Sequence, residues 1–354
     1  MKKVLYIAAS LLLLAGLTAT AQETEKPEYG YKQTGFASKP KFGGYIIGGY
    51  KYSDKAGANG GPGFNARLIR LYVDGSIFND FKYRLQFQAN GSSGPHVKDF
   101  YLEWAKWAEF SVKIGQFKRG FTFENPMNPW DVGVGDYSFL VQKMAGMGDR
   151  LGEPNMGGRD QGLQIQGDLF PLADNSYRLL HYQLGVFNGQ GINLADANKA
   201  KDLIGSVQIQ PIKGLKLAVF GWKGDWVKAA TSSASAVTYK RERICAGLNF
   251  DRNNWTVRAE WATALAGEKE QSGAADALYA TVGIPFADWF KLYLKWDEFR
   301  ANATADSSHD MYSACANFRL HKNLNFQLEY RRHQDQLLAT PGYNELWFMT
   351  YVRF

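Results

Sequence analysis

From about residue 41 to the last residue, apolar and polar side chains alternate in short bursts. The cleanest is Phe81-Lys82-Tyr83-Arg84-Leu85-Gln86-Phe87-Gln88, apolar on one face and polar or charged on the other. With a side-chain period of two, such a strand separates an apolar environment from an aqueous one. Trp255, Val257, Ala259 and Trp261 alternate in the same way with Thr256, Arg258 and Glu260, and Leu324, Phe326, Leu328 and Tyr330 with Asn325, Gln327, Glu329 and Arg331. About sixteen segments of this kind are expected, near 41–52, 65–77, 81–89, 97–105, 110–118, 161–169, 178–187, 202–210, 215–223, 240–250, 254–264, 277–285, 289–299, 310–319, 323–332 and 345–354. Lengths near ten suit a tilted strand crossing a bilayer, and the pattern predicts Tyr83, Leu85 and Phe87 facing lipid.

The links between segments alternate between short and long. Short ones hold Asn79-Asp80, Lys106 to Ala108, Pro171 to Ser176, Pro211 to Gly214, Asp251 to Asn253, Pro285 to Asp288 and His321-Lys322. Long ones occupy about 53–64, 90–96, 119–160, 188–201, 224–239, 265–276, 300–309 and 333–344. Short turns on one side and long loops on the other are the layout of a transmembrane antiparallel β-barrel, and an even strand number leaves both termini on the short-turn side. A soluble sandwich or propeller also has many short strands. It would not place Trp, Tyr and Phe near strand ends on the apolar face, nor so many charges on the other. Leu346, Phe348, Thr350, Val352 and Phe354 share one face of the last segment, and a terminal aromatic of this kind resembles the assembly signal of bacterial outer-membrane proteins.

The first residues read differently. Lys2 and Lys3 precede a run from Val4 to Leu17 that is apolar except for Ser10, and Ala19-Thr20-Ala21 follows. Residues 1–21 are therefore expected to be a secretory signal peptide, 22–40 a short periplasmic segment and 41–354 the barrel. The 41 Lys and Arg against 34 Asp and Glu form no block of like charge, so no nucleic-acid partner is expected. Cys245 and Cys315 lie far apart in strand-like segments and read as packing residues.

If alternation places the polar set inside, the lumen carries Arg70, Lys82, Arg84, Lys113, Arg243, Arg258, Lys291, Lys295, Arg319, Arg331 and Arg353, with Asp74, Asp99, Glu103, Asp168, Glu260, Asp297 and Glu329. This modest basic excess biases a narrow aqueous pore toward anions, although each residue also suits a plain solvated wall. An enzyme built on a barrel would need a nucleophile, a base and an orienting group. His96, His181, His309, His321 and His333 are scattered singly, and there is no Gly-x-Ser-x-Gly elbow and no His-Glu-x-x-His pair. No catalytic residue, cofactor or metal is expected. Gly146, Gly148 and Gly152 read as loop glycines rather than a phosphate cradle. A plugged structural or adhesion barrel is a further alternative.

Several segments carry a family resemblance. Ala66-Arg67-Leu68-Ile69-Arg70-Leu71-Tyr72-Val73-Asp74-Gly75, Lys98-Asp99-Phe100-Tyr101-Leu102-Glu103-Trp104, Ile114-Gly115-Gln116-Phe117-Lys118, Arg159-Asp160-Gln161-Gly162-Leu163-Gln164 and Gly185-Val186-Phe187-Asn188-Gly189 occur in that order. Together they resemble the phosphate-selective porin O and P family of Bacteroidetes-type outer membranes. The resemblance implies an outer-membrane homotrimer of sixteen-stranded barrels passing small inorganic or organic anions. It also implies a third external loop folded inward to form a constriction. Here that loop is 119–160, bringing Glu124, Asp131, Asp136, Asp149, Glu153 and Asp160 with Arg119, Lys143, Arg150 and Arg159. Its acids are expected to oppose Arg70, Lys82 and Arg84 of the 65–89 wall, setting up a transverse field. The family's phosphate-selecting ladder of bases cannot be carried onto this chain by motif.

Overall fold

The computed structural model describes residues 38–354, apart from 58–61, 79, 92–93, 154–156 and 174–175. The expected leader and residues 22–37 lie outside the described residues. Sixteen strands follow one another: β1 Ser38–Ser53, β2 Gly63–Ile77, β3 Phe81–Gln88, β4 His96–Trp104, β5 Ser111–Lys118, β6 Arg159–Leu172, β7 Tyr177–Phe187, β8 Asp202–Ile212, β9 Leu215–Lys228, β10 Val237–Arg252, β11 Trp255–Ala264, β12 Asp276–Ala287, β13 Phe290–Arg300, β14 Ser308–His321, β15 Leu324–Asp335 and β16 Gly342–Arg353. Each pairs antiparallel with its neighbours, and β1 closes the barrel on β16 from Tyr45↔Arg353 to Ser53↔Glu345. Closure leaves no open edge among these strands, so their backbone groups pair within the sheet at membrane depth.

Alternation is realised as two faces. Leu346, Phe348, Val352 and Phe354 are exposed on the outside with Ile114, Leu163, Val186 and Leu203, while Trp347, Met349 and Tyr351 are buried within. Trp107, Trp255 and Trp289 are exposed near the short-turn end, and Tyr52, Phe64 and Tyr330 toward the long-loop end. These are the aromatic girdles of a membrane barrel. On β4 a bulge opposite Gln86 and Phe87 breaks the alternation, so that Lys98 and Asp99 are both buried.

The lumen differs from the uniformly polar interior expected from alternation. Among the described residues two short helices interrupt the long loops, α1 Phe139–Met144 and α2 Ala266–Ser272. The loop joining β5 to β6 carries α1 into the barrel. There Phe121, Val132, Val134, Leu140, Val141, Met144 and Met147 pack on the inward side chains Phe220, Trp222, Cys245, Ala262, Tyr279 and Cys315. Loop and wall therefore share an apolar core, the chief reason for the loop to stay inside. Cys245 and Cys315 are free and buried in that core.

Candidate functional site: the lumenal constriction

The loop's polar backbone is satisfied by wall carboxylates. Glu260 of β11 accepts the N–H groups of Phe123 at 2.6 Å and Glu124 at 3.2 Å. Asp297 of β13 accepts that of Phe139 at 2.9 Å, and Glu329 of β15 that of Gly135 at 2.7 Å. In the other direction, Asn317 and Gln327 donate to the carbonyl of Gly133 at 2.7 and 3.3 Å. Gly133 holds φ at +94°, and a side chain there would strike the Tyr293 ring 2.5 Å away.

A second anchor is ionic. Arg119, Arg241 and Arg243 gather on the face of Trp222, at 4.9, 4.6 and 5.5 Å from its ring centre. Arg119 bonds Glu153 and Asp160 at 2.9 Å; Arg241 bonds Glu153 at 2.8 Å and Asp202 at 2.9 Å; Arg243 bonds Asp149 and Glu268. All three guanidiniums are fully buried. Gly146, Gly148 and Gly152 take φ of +77°, +104° and +105°, and at Gly146 a Cβ would meet the Arg119 guanidinium at 1.9 Å. They are turn glycines that let the loop close over these arginines.

Beside this packed region, three cavities abut along the β1–β10 side. The central one is bordered by Tyr45, Arg70, Arg84, Lys113, Lys118 and Arg159, with Pro126, Met127 and Pro129 of the loop across from them. Toward the long-loop end a second cavity shares Arg70, Lys118, Pro129 and Arg159 and adds Arg67, Lys98 and Asp136. Toward the short turns a third shares Pro126, Met127 and Gln183 and adds Asp168, His181, Lys216 and Asn249. The residues common to the first two form a neck. There Arg70 donates to Tyr45 Oη at 2.7 Å and Gln88 at 3.2 Å, and Arg159 is clamped by Asp99 at 2.8 and 2.9 Å. Lys118 donates to the carbonyls of Asn125 and Met127 and to Tyr137 Oη.

The expected pore residues separate into groups. Arg70, Arg84 and Lys113 border the central cavity, with Arg84 paired to Asp74 at 2.6 Å and Lys113 to Glu103 at 3.5 Å. Arg258, Lys295 and Arg331 instead serve the packed region: Arg258 donates to Val132 O at 3.0 Å, Lys295 lies 3.2 Å from Asp297, and Arg331 stacks over Trp347 beside Glu329. Lys291 bonds Thr256 at 2.8 Å, and Lys82 and Arg319 are exposed at the short-turn end. Among the loop acids, Glu124 bonds Ser138, Asp131 lies 4.0 Å from Arg353, and Asp149, Glu153 and Asp160 join the arginine anchor. Arg150 bonds Glu268 at 2.7 Å and caps the C-terminal carbonyls of α2; Lys143 is half-buried on α1. Asp136 alone of these acids reaches the 65–89 wall, at Arg67. The expected row of acids facing Arg70, Lys82 and Arg84 is thus broken up: buried arginines neutralise Asp149, Glu153 and Asp160, while Glu124 turns to Ser138 and Asp131 to Arg353.

Lys98, Lys118, Arg67 and Arg241 were absent from the sequence expectation for the lumen. The β4 bulge turns Lys98 inward, and Lys118 follows the chain as it leaves the wall. Arg241 could have been found, because it lies two positions before Arg243 on the same face; Arg67 could not, because it sits out of phase with Arg70 in a β2 bulge opposite Ile47 and Gly48, from which it reaches Asp136. The histidines are less scattered than expected: His309 and His333 approach to 3.0 Å. Among the described residues, no group of three or more His, Cys, Asp and Glu is placed to hold a metal ion.

A closed sixteen-stranded barrel with aromatic girdles, an inward third loop and an eccentric lumenal path is an outer-membrane diffusion channel. The sequence profile of the phosphate-selective porin O and P family matches residues 43–219, and the chain belongs to that family. Its fold is similar to that of an anion-selective porin from Comamonas acidovorans, with a TM-score of 0.65 at 13% identity over 90% of this chain and 100% of that one. It is also similar to OmpT of Vibrio cholerae in its trimer form, with 0.61 at 12% over 90% and 100%. OprB of Pseudomonas putida gives 0.61 at 10% over 89% and 94%. A comparison with curated protein sequences found no match.

Proposed function

We propose that the protein is a passive channel for small hydrophilic solutes with a mild preference for anions, read at the neck formed by Arg70, Lys118 and Arg159. One observation carries this reading: Arg70, always charged, borders both cavities and has only neutral hydrogen-bond partners. Its charge is not cancelled locally, and in confined water it enriches anions. The other basic side chains nearby do not add up to a bare ladder. Arg67, Arg84, Lys113 and Arg159 each hold a carboxylate, which favours broad anion passage over a site dedicated to phosphate.

Planar-bilayer recording under a salt gradient tests this. Arg70→Gln should reduce anion preference and Arg70→Glu should reverse it, with single-channel conductance altered in both. Folded Arg70 variants with the parent's reversal potential would place selectivity elsewhere. A homotrimer is the assembly the family favours, and native mass measurement in mild detergent checks it. The family and the fold favour a channel over a barrel enzyme or a non-conducting barrel; absence of stepwise current would return the latter two.

A further inference from the structure

From the neck toward the short turns, the wall of the path is built from side-chain amides as much as from charges. Gln86, Gln164, Gln166 and Gln183 border the central cavity, and Gln208, Gln210 and Asn249 join Gln183 at the third. Sheet register makes a patch of them: Gln166 lies opposite Gln183 across β6 and β7, and Gln208 of β8 lies opposite His181, two residues from Gln183. Part of their bonding capacity is spent inside the protein. Gln164 donates to Gln166 Oε1 at 2.6 Å, Gln166 to Glu103 at 2.8 Å and Gln183 to the carbonyl of Gly120 at 2.6 Å. The rest faces the path. Among the described residues nothing donates to Gln164 Oε1, and the amides of Gln208 and Gln210 have no hydrogen-bond partner.

Simple ions do not call for such a wall. A carboxamide sets a carbonyl acceptor beside its two N–H donors, and that carbonyl is a poor neighbour for a bare oxyanion, which can only accept. A hydroxyl both donates and accepts, so it pairs with either end of an amide. Across the central cavity stand Pro126, Met127 and Pro129, whose side chains carry no N–H or O–H. A solute with a hydroxylated edge and a C–H face matches both sides at once, and a sugar ring has that form.

We propose that the favoured permeants are monosaccharide acids, which pass with the carboxylate at Arg70, the hydroxyls on the glutamine patch and the ring carbons against Pro126 and Met127. The place of the carboxylate rests on the reading of the neck given above; the place of the hydroxyls rests on the amides. Arg70, whose partners are neutral, offers a single uncancelled charge, which suits a monoanion over a doubly charged phosphate ester. The central cavity, about 230 Å³, is smaller than a drug-sized site and holds one ring rather than a chain of them.

Planar-bilayer recording in potassium chloride, with sodium glucuronate, cyclohexanecarboxylate, glucose or glucose 6-phosphate added in turn, separates charge from hydroxyls. Cyclohexanecarboxylate has only the charge and glucose only the hydroxyls. Glucuronate should interrupt the current at concentrations about tenfold below either, the worth of one or two neutral hydrogen bonds, and below glucose 6-phosphate. Half-block by glucuronate should rise about three- to tenfold in Gln166→Leu and in the double variant Gln208→Ala, Gln210→Ala, while the potassium chloride reversal potential keeps the parent's value. Gel mobility before and after heating verifies that each variant is folded. Equal block by glucuronate and cyclohexanecarboxylate, or block unchanged in the folded amide variants, overturns the proposal and leaves the anion preference standing. Glucose blocking as well as glucuronate removes the carboxylate from it, and stronger block by glucose 6-phosphate overturns the choice of acid. A parent reversal potential without anion bias sinks the reading of the neck, whatever the block series gives.

Discussion

Glu260 is the wall residue on which the start of the inward loop rests, and Glu260→Ala tests the docking directly. Its carboxylate accepts Phe123 N–H at 2.6 Å, Glu124 N–H at 3.2 Å and Tyr279 O–H at 2.7 Å, with Cys245 Sγ a further 3.8 Å contact. Truncation leaves three donors in a buried place without their acceptor. At about 1–3 kcal/mol each, the full loss would be roughly 3–9 kcal/mol. Water entering the vacated space and slack in the loop recover part of it, leaving about 2–5 kcal/mol. Glu260→Gln keeps one carbonyl acceptor and should cost about 1 kcal/mol. The functional consequence is distinct from the stability loss, because the segment after Glu124 carries Pro126, Met127 and Pro129 to the neck. Once released it should widen and destabilise the aperture. Heat-dependent gel mobility reports the first effect, and single-channel conductance with open-state noise reports the second. Glu260→Ala melting with the parent and conducting with the parent's amplitude and noise would refute the view that this carboxylate seats the loop.

Asp149 is fully buried; burial pushes its carboxyl up, but Arg243 and its hydrogen bonds override this and hold it well below the usual carboxylate range. Because the folded value is depressed, its stabilisation is present above the unfolded value of about 3.9 and is lost as pH falls through the folded one. The difference in thermal stability between parent and Asp149→Asn should stay flat from pH 8 to about 5 and shrink below about 4. Leu163→Arg, on the outer face opposite Ile114 and Val186, should cost about 2–4 kcal/mol of folding into lipid, measured by urea titration in vesicles. Cys245 and Cys315 should resist a membrane-impermeant maleimide in the folded barrel and react after unfolding, as read by intact mass.

The barrel was legible because its chemistry is periodic. Each transmembrane segment must show lipid one face and the lumen the other, so Phe81 to Gln88 or Trp255 to Glu260 disclose their orientation residue by residue. Strand ends were less so: β9 runs to Lys228 and β10 starts at Val237, well into what reads as a long loop. The inward loop was suggested by family likeness, but its internal direction was not, because no period governs residues 119–158. Glu124, Asp149 and Glu153 are visibly acidic in the sequence, yet their partners Ser138, Arg243, Arg119 and Arg241 are mostly remote in the chain. Apolar inward residues such as Phe220 and Trp222 also escape a rule that assigns the lumen to polar side chains. Only the loop's own apolar surface explains them.

The loop's seat along β9 to β15 means that the opening is not at the barrel's centre, and this divides labour around the circumference. Residues on one arc meet whatever passes; those on the other meet only protein. Two selections on one library of variants should therefore map to different sectors. Survival on a solute that needs the channel without loss of its amount in the membrane should vary with substitutions around Arg70, Arg84 and Lys113. Loss of the assembled protein itself should concentrate around Arg243, Glu260 and Asp297. An engineer seeking a different permeant has one arc of the ring to rewrite, while the other acts as ballast and must be left intact.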